Sequence, residues 1–292
     1  MTLELSQTLA PVEIAQKPAP ATERPASDVL GRIGNLETRL ARSVSEIDAA
    51  QAVRYRVFVE EMNAQLSHDA VRRKRDIDAW DMVCDHLLVL DTAIEGDAEE
   101  QIVGTYRLLR QDVAAVSGGF YSQSEFDVDA LVARHPDKRF MELGRSCVLP
   151  AYRTKRTVEL LWQGAWAYSL KHGVDVMFGC ASFHGTVPEE HALALSFLHH
   201  NVQAKDDWSV SARPELFRVM DLMPPEGIDA RKALVAMPPL VKGYLRLGAT
   251  IGSGAVVDHA FNTTDVLIVL PIGQISGRYL NYYGADAGRF AS

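Results

Sequence analysis

Cysteine is scarce. The 292 residues hold three (Cys84, Cys147 and Cys180), far apart and in no Cys-x-x-Cys pair. That argues against a disulfide framework and a zinc ribbon, and fits a reducing cytoplasm. Positive charge is also short, with 30 Lys+Arg against 38 Asp+Glu and a net charge of −8. A general nucleic-acid coat is excluded, because phosphate binding needs a clustered positive field. Long apolar runs are missing: the charge-free stretches 176–188 and 266–277 are shorter than the ~18–20 residues of a membrane span. The first 28 residues have no basic start and no apolar centre, and four prolines interrupt them, so no secretion signal is read there. Gly-x-x-x-x-Gly-Lys, Gly-x-Gly-x-x-Gly, His-Glu-x-x-His and Gly-x-Ser-x-Gly are all absent. The nine histidines show no ligand spacing, so no metal is expected, and His199-His200 reads as a helix end.

What is present is the alternation of an α/β domain. The Ala-, Pro-, Glu- and Thr-rich segment 1–28 has too little apolar surface to offset its ordering entropy and reads as a disordered tail. Residues 29–292 read as a single domain, with a core over about 36–220 and a C-terminal extension over about 230–292. LETRLARS reads as a strand, Ser43 and Glu46 stand at capping-box spacing, and Ile47, Ala50, Val53 and Val57 mark a helix face. HLLVLDTAI and QIVGTYRLLR, parted by Glu95-Gly96-Asp97, read as a hairpin. RFMELGRSCVL is a strand and a helix is expected from about Thr157 to Lys171, closed by Gly173. VDVMFGCASF and DVLIVLPI are apolar strands, and a helix lies around PPLVKGYLRLG. The fold class is therefore a mixed β-sheet flanked by helices, without repeats.

Several polar groupings stand out. Asp76, Asp78, Asp81 and Asp85 follow the basic run Arg72–Arg75, and they either neutralise that run or form a site for cations. Arg153, Lys155 and Arg156 crowd a helix start, where cations oppose the helix dipole, which hints at an anionic ligand. Trp162, Trp166, Phe178, Phe120 and Phe126 read first as core and second as an acyl tunnel. Cys147 and Cys180 sit in apolar strands with no base in view and read as packing residues.

These residues also carry a resemblance. The order strand, Pro150-x-Tyr152-Arg153, helix, preceded by a hairpin and followed by an apolar strand, resembles the acyl-binding core of the GNAT N-acyltransferase superfamily. Arg54 and Phe58, the Asp78-x-Trp80-Asp81 string, Arg107, and Glu142 with Arg145 resemble positions shared by acyl-homoserine-lactone synthases. CDHLLVLD, VGTYRLLR, ELGRSCVLPAYR, FGCASFHGT and PPLVKGYLRLGA resemble the ornithine-lipid acyltransferases, over about residues 36–285.

The resemblance implies transfer of a 3-hydroxyacyl group from acyl carrier protein to the α-amine of L-ornithine, giving lyso-ornithine lipid. No cofactor is implied beyond the carrier's phosphopantetheine thioester. The partners are then acyl carrier protein and L-ornithine, in the cytoplasm, with peripheral inner-membrane contact suited to a lipid product. Glu142 is the candidate general base, with Arg145 beside it; at i, i+3 on a regular strand they face opposite ways, and a bulge at Gly144 would bring them together. Asp78, Asp81 and Asp85 suit the two ammonium groups of ornithine, and Arg54 or Arg107 its carboxylate. Phe58 and Trp80 complete the acceptor side. Coenzyme A users of the superfamily carry small residues where this chain has Arg156 and Val158, which favours a carrier-borne donor met by Arg153, Lys155, Arg156 and Thr157. An acyl-homoserine-lactone synthase and a non-catalytic acyl-carrier or lipid-surface binding module are the competing readings, disfavoured by the C-terminal strings and by the intact Glu142, Arg145, Asp78 and Asp81.

Overall fold

A computed structural model describes residues 28–275; the segments 1–27 and 276–292, with most of the expected tail and the end of the C-terminal extension, lie outside the described residues. Nine strands form one mixed sheet: β1 (Val29–Ile33), β2 (Leu36–Leu40), β3 (Asp85–Asp91), β4 (Ile102–Arg110), β5 (Phe140–Val148), β6 (Val176–His184), β7 (Thr250–Ile251), β8 (Val256–Asp258) and β9 (Thr263–Pro271). Their order is β1-β2-β3-β4-β5-β6-β9-β7, with β8 also on β9. Every pair is antiparallel except β5–β6. The C-terminal segment thus adds three strands to the same sheet.

Strand β3 shows why the central runs are apolar throughout: both faces are covered. Leu87 and Val89 share a core with Leu160, Leu161 and Ala165 of the Lys155–His172 helix. Leu88 and Leu90 share another with Ala50 and Val53 of the Val44–Tyr55 helix. Ser43 caps that helix, accepting from the Glu46 N–H at 3.2 Å, but the Glu46 carboxylate turns to Arg39 and the Arg42 N–H, so the expected capping box is half formed. Past Tyr55 the helix widens into a π-helical stretch, Arg56–Glu61, which the sequence pattern did not announce. The β3–β4 hairpin forms, yet its link is longer than a tight acidic turn, because residues Ala98–Gln101 make a short helix.

The Lys155–His172 helix begins two residues before the expected start, since Thr154 supplies the cap and its hydroxyl accepts from the Thr157 N–H at 3.3 Å; Gly173, at φ 59°, ends it. The five aromatic tunnel candidates are all buried, and they divide between two cores. Trp162 and Trp166 belong to the helix side of the sheet, while Phe120, Phe126 and Phe178 pack in a separate cluster. They do not line a common channel.

The feature that shapes the site is the short contact between β5 and β6. They pair only through Phe140–Val176, Met141–Met177 and Glu142–Phe178, then part. The bulge that follows in β5 falls one residue later than expected. Arg145 and Ser146 together face Tyr106, and Arg145 itself takes φ 52°. An L-residue in that region is strained unless its side chain is firmly held, and Arg145 is held by two aspartates and two rings, as described below. At the parting, a Cβ on Gly179 would stand 2.2 Å from the Leu143 carbonyl oxygen. Gly179→Ala is therefore expected to force β5 and β6 apart and to lower stability by about 2 kcal/mol or more; chemical denaturation of the purified variant measures it, and a wild-type midpoint would disprove the close-approach argument.

Candidate active site

Three arginines and three aspartates meet under the Val44–Tyr55 helix. Arg54 is fully buried; its Nε donates to Asp76 Oδ2 at 2.8 Å, and Nη1 and Nη2 donate to Asp81 Oδ1 and Oδ2 at 2.7 and 2.8 Å. Gln51 Nε2 adds a further bond to Asp81 at 3.0 Å. From β4, Arg107 reaches Asp78 and Asp81. From the β5 bulge, Arg145 reaches Asp76 and Asp78, each at 3.3 Å. Burial works against ionisation of Asp81, but the Arg54 hydrogen bonds and charge outweigh it and hold the carboxyl well below its usual range. The chain thus brings together Arg54, Asp78, Asp81 and Arg107 as grouped from the sequence. Their charges, however, are directed at one another, and Asp76, which the sequence ranked with the others but assigned no role, is an equal member. Asp85 stands apart: it pairs with Arg110 and accepts from Tyr168 Oη at 2.5 Å, on the side of the Lys155–His172 helix.

Glu142 occupies the last rung before β5 and β6 part. It is 4% exposed, and its two carboxylate oxygens accept the backbone N–H groups of Tyr121 and Ser122 at 2.7 and 2.8 Å. It is neither an edge residue nor a partner of Arg145. Burial pushes its carboxyl up, and the Ser122 and Tyr121 donors offset part of that rise. Each oxygen keeps a lone pair beyond the backbone bond, so the group can still take a proton.

Aromatic rings surround Arg145. Its guanidinium lies 3.9 Å from the centroid of Phe261 and 5.1 Å from that of Tyr121. Phe58, on the π-helical stretch, meets Phe261 edge-on at 5.7 Å, and Trp80 meets Tyr121 edge-on at 6.3 Å. Phe58 and Trp80 therefore reach Arg145 through two rings, Phe261 and Tyr121, that no motif had marked.

The cationic turn lies past the end of β5. Arg153 donates from Nε to the Val148 carbonyl at 3.0 Å and pairs with Glu61. Lys155 is exposed and 3.3 Å from Glu159, and Arg156 is exposed. Thr157 is fully buried, its hydroxyl 3.1 Å from that of Thr154, so it serves the helix cap beneath the cations.

Across the gap is an acidic group that sequence reasoning missed. One carboxylate oxygen from each of Glu125, Asp258 and Asp265 lies within 4.8 Å of the others. Glu125 accepts from the half-buried Cys180 thiol at 3.3 Å, so that cysteine does have a carboxylate neighbour; burial nevertheless pushes the thiol well up, away from nucleophilic use. Cys147 is buried and pushed up to about 12 by desolvation. Burial, then the Asp265 charge, raise Glu125 to about 7; burial raises Asp265 to about 6, with the Ser182 and Thr263 hydroxyls close enough to offset part of it. The one signal in the sequence was Asp265, a charge leading an otherwise apolar strand.

A parallel pair that parts beside a buried carboxylate, followed by a long helix across the turn, suits an acyl-transfer fold. A family model described as an acetyltransferase (GNAT) domain matches residues 53–163. Among solved structures, FeeM, an N-acyl amino acid synthase from uncultured soil microbes, aligns with a TM-score of 0.46 and 11% identity over 82% of this chain and 91% of its own. The CoA-dependent acyl-homoserine lactone synthase BjaI aligns with a TM-score of 0.46 and 13% identity, over 84% of this chain and 83% of its own. The chain is an acyltransferase of GNAT type.

Full-length relatives narrow the family. An L-ornithine N(alpha)-acyltransferase of Rhizobium meliloti (strain 1021) is 75% identical over 293 residues, covering 100% of this chain and 99% of the relative. Relatives of the same name from Agrobacterium fabrum and Rhodobacter capsulatus are 70% and 40% identical, covering 93% and 85% of this chain and 93% and 94% of their own lengths. The chain belongs to the L-ornithine N(alpha)-acyltransferase family.

The raised carboxyl of Glu125 has a consequence for stability. Between the ordinary value of 4.5 and about 7, the folded chain holds more protons on Glu125 than the unfolded chain does. Its contribution is therefore full below pH 4.5 and is lost as the pH rises through 7. Glu125→Gln is expected to raise Tm relative to wild type more at pH 8 than at pH 5, measured by thermal unfolding; an equal effect at both pH values would refute the shift.

Proposed function

We propose that the chain transfers a 3-hydroxyacyl group from the phosphopantetheine thioester of acyl carrier protein to the α-amine of L-ornithine, yielding lyso-ornithine lipid. The observation that carries the reading is Glu142 at the last β5–β6 rung, beside the gap. The thioester lies in that gap, the neutral amine attacks its carbonyl carbon, a C–N bond forms and the C–S bond breaks. The amine's proton passes to Glu142, directly or through water, and Glu142 then gives it up to the departing thiolate, so that the carrier leaves as the thiol. Main-chain N–H groups of the parted strands face the developing oxyanion. The names of the full-length relatives support ornithine as the acceptor.

Arg145 stands on the β5 bulge, three residues beyond Glu142. Arg54, Asp76, Asp78, Asp81 and Arg107 act as positioning residues that fix its bulge, with Phe58 and Trp80 bracing the rings around it. Arg153, Lys155 and Arg156 meet the carrier's phosphodiester and its acidic surface, and the side chains of Arg156 and Val158 leave little room for a nucleotide pyrophosphate on the helix start. No described helix is long and apolar enough to cross a membrane; the lipid product is delivered from the cytoplasm to the inner-membrane surface by peripheral contact.

Glu142→Gln should lower kcat at least about 100-fold while leaving the circular-dichroism spectrum unchanged; wild-type turnover at neutral pH would end the general-base assignment. Replacing Arg153, Lys155 and Arg156 together by Ala should raise KM for acyl carrier protein and flatten its salt dependence. An unaltered KM at low ionic strength would remove the turn from the carrier site. Mass spectrometry of the product distinguishes acylated ornithine from a lactone.

A further inference from the structure

The buried charges of the site are balanced in one place and unbalanced in another. Arg54, Arg107 and Arg145 match Asp76, Asp78 and Asp81 one for one. Glu125, Asp258 and Asp265 have no such match: the Arg145 charge reaches Asp265, but none of the three forms a close ion pair among the described residues. Such a cluster is not in itself a site, because solvated acids often gather without purpose. Here one member of the cluster and one neighbouring hydroxyl are buried without a partner. Asp265 Oδ1 and Thr263 Oγ1 are both buried, in residues only 6% and 2% exposed, and neither has a hydrogen-bond partner at proper geometry. Thr263 and Asp265 are two residues apart on β9 and so share a face. A buried acceptor left without a donor costs about 1–3 kcal/mol, and a ligand that supplies the donor removes that cost.

The missing partner is a cation with several N–H donors. The three carboxylates gather within 4.8 Å, Thr263 shares the Asp265 face of β9, and a group that answers several acceptors with a single charge and three donors is a primary ammonium. Its placement also follows from the strands. On β6, Phe178 pairs with Glu142, Cys180 bonds Glu125, and Ser182 pairs with Asp265. These three β6 residues alternate on one face, so Glu142 and the acidic group lie along the same row. The two-residue step from Phe178 to Cys180, the contact of Glu125, is about 7 Å, comparable with the reach of a three-methylene spacer; Asp265, opposite Ser182, lies one such step further on. Asp258 connects the group to Arg145: its Oδ1 accepts the N–H groups of Ala260 and Phe261 at 2.8 and 3.0 Å, and the Phe261 ring carries the Arg145 guanidinium.

We infer that Glu125, Asp258, Asp265 and Thr263 form the pocket for the side-chain ammonium of the diamino-acid acceptor, and so select a diamino acid over a monoamino acid of the same length. The inference rests on ornithine being the acceptor and names the residues that choose it.

The experiment compares kcat/KM for L-ornithine with that for L-2-aminopentanoate, which has the same carbon chain and no second amine, using carrier-bound acyl donor. The wild-type comparison by itself tests the acceptor and donor reading. Transfer to neither acceptor would overturn that reading, independently of the pocket. Given wild-type preference for ornithine, Asp265→Asn and Glu125→Gln should each reduce the preference about tenfold or more, through KM for ornithine. Calorimetric titration of ornithine into the folded variants should show the matching loss of affinity. Two variants guard against one that fails to fold. Wild-type preference retained in both folded variants would overturn the pocket. So would saturable calcium binding to wild type that is lost in Asp265→Asn while ornithine preference stays intact.

Discussion

The site depends on six charges, four of them buried and two partly so, that neutralise one another. Arg54 comes from the first long helix, Asp76, Asp78 and Asp81 from the loop after it, Arg107 from β4 and Arg145 from β5. Desolvating such groups is costly, and apolar residues of similar volume would often stabilise a fold as well or better. What this set supplies is a fixed geometry. Removing one member would leave an uncompensated buried charge, at about 3–5 kcal/mol, so four separate chain segments are tied to one arrangement. Arg145 is the member whose backbone is strained, and its left-handed conformation is tolerable because two aspartates and two aromatic rings hold the side chain.

Beyond the last shared rung, the two arms of the parted strands differ in charge. The β5 arm leads to Arg153, Lys155 and Arg156, which are exposed. The β6 arm runs past Cys180 and Ser182 to Glu125, Asp258 and Asp265, which are partly or wholly buried. In the proposed reaction, a negative donor and a doubly positive acceptor would be drawn to different sides of the same carboxylate. Field and shape together orient the encounter.

Much of this was legible in the chain. The apolar runs of β3, β4 and β9, and the first halves of β5 and β6, are true strands covered on both faces, and the Gly173 and Gly248 helix ends are both left-handed caps. Glu142, Arg145, Arg54, Arg107, Asp78 and Asp81 stand within short motifs and converge as a group. What spacing did not convey was direction. Arg54 and Asp81 point at each other, Asp85 points to the far side of the sheet, and Thr157 lies under its turn. The bulge at Arg145 was displaced from Gly144 because side-chain anchoring, not backbone permissiveness, chose its position. Glu125 and Asp265 are 140 residues apart in the chain, so no local pattern brings them together; the β6–β9 pairing does.

Strand β9 lies between β6 and β7, buried along its full length, although it is assembled from residues 263–271. During synthesis, β6 therefore leaves the ribosome some eighty residues ahead of its antiparallel neighbour. In that interval it presents an open apolar edge of the kind that invites intermolecular pairing. Two of the three acids also arrive only with this late segment. A nascent chain thus builds the β5–β6 gap early, but it covers the β6 edge and gathers the three acids only once β9 has emerged.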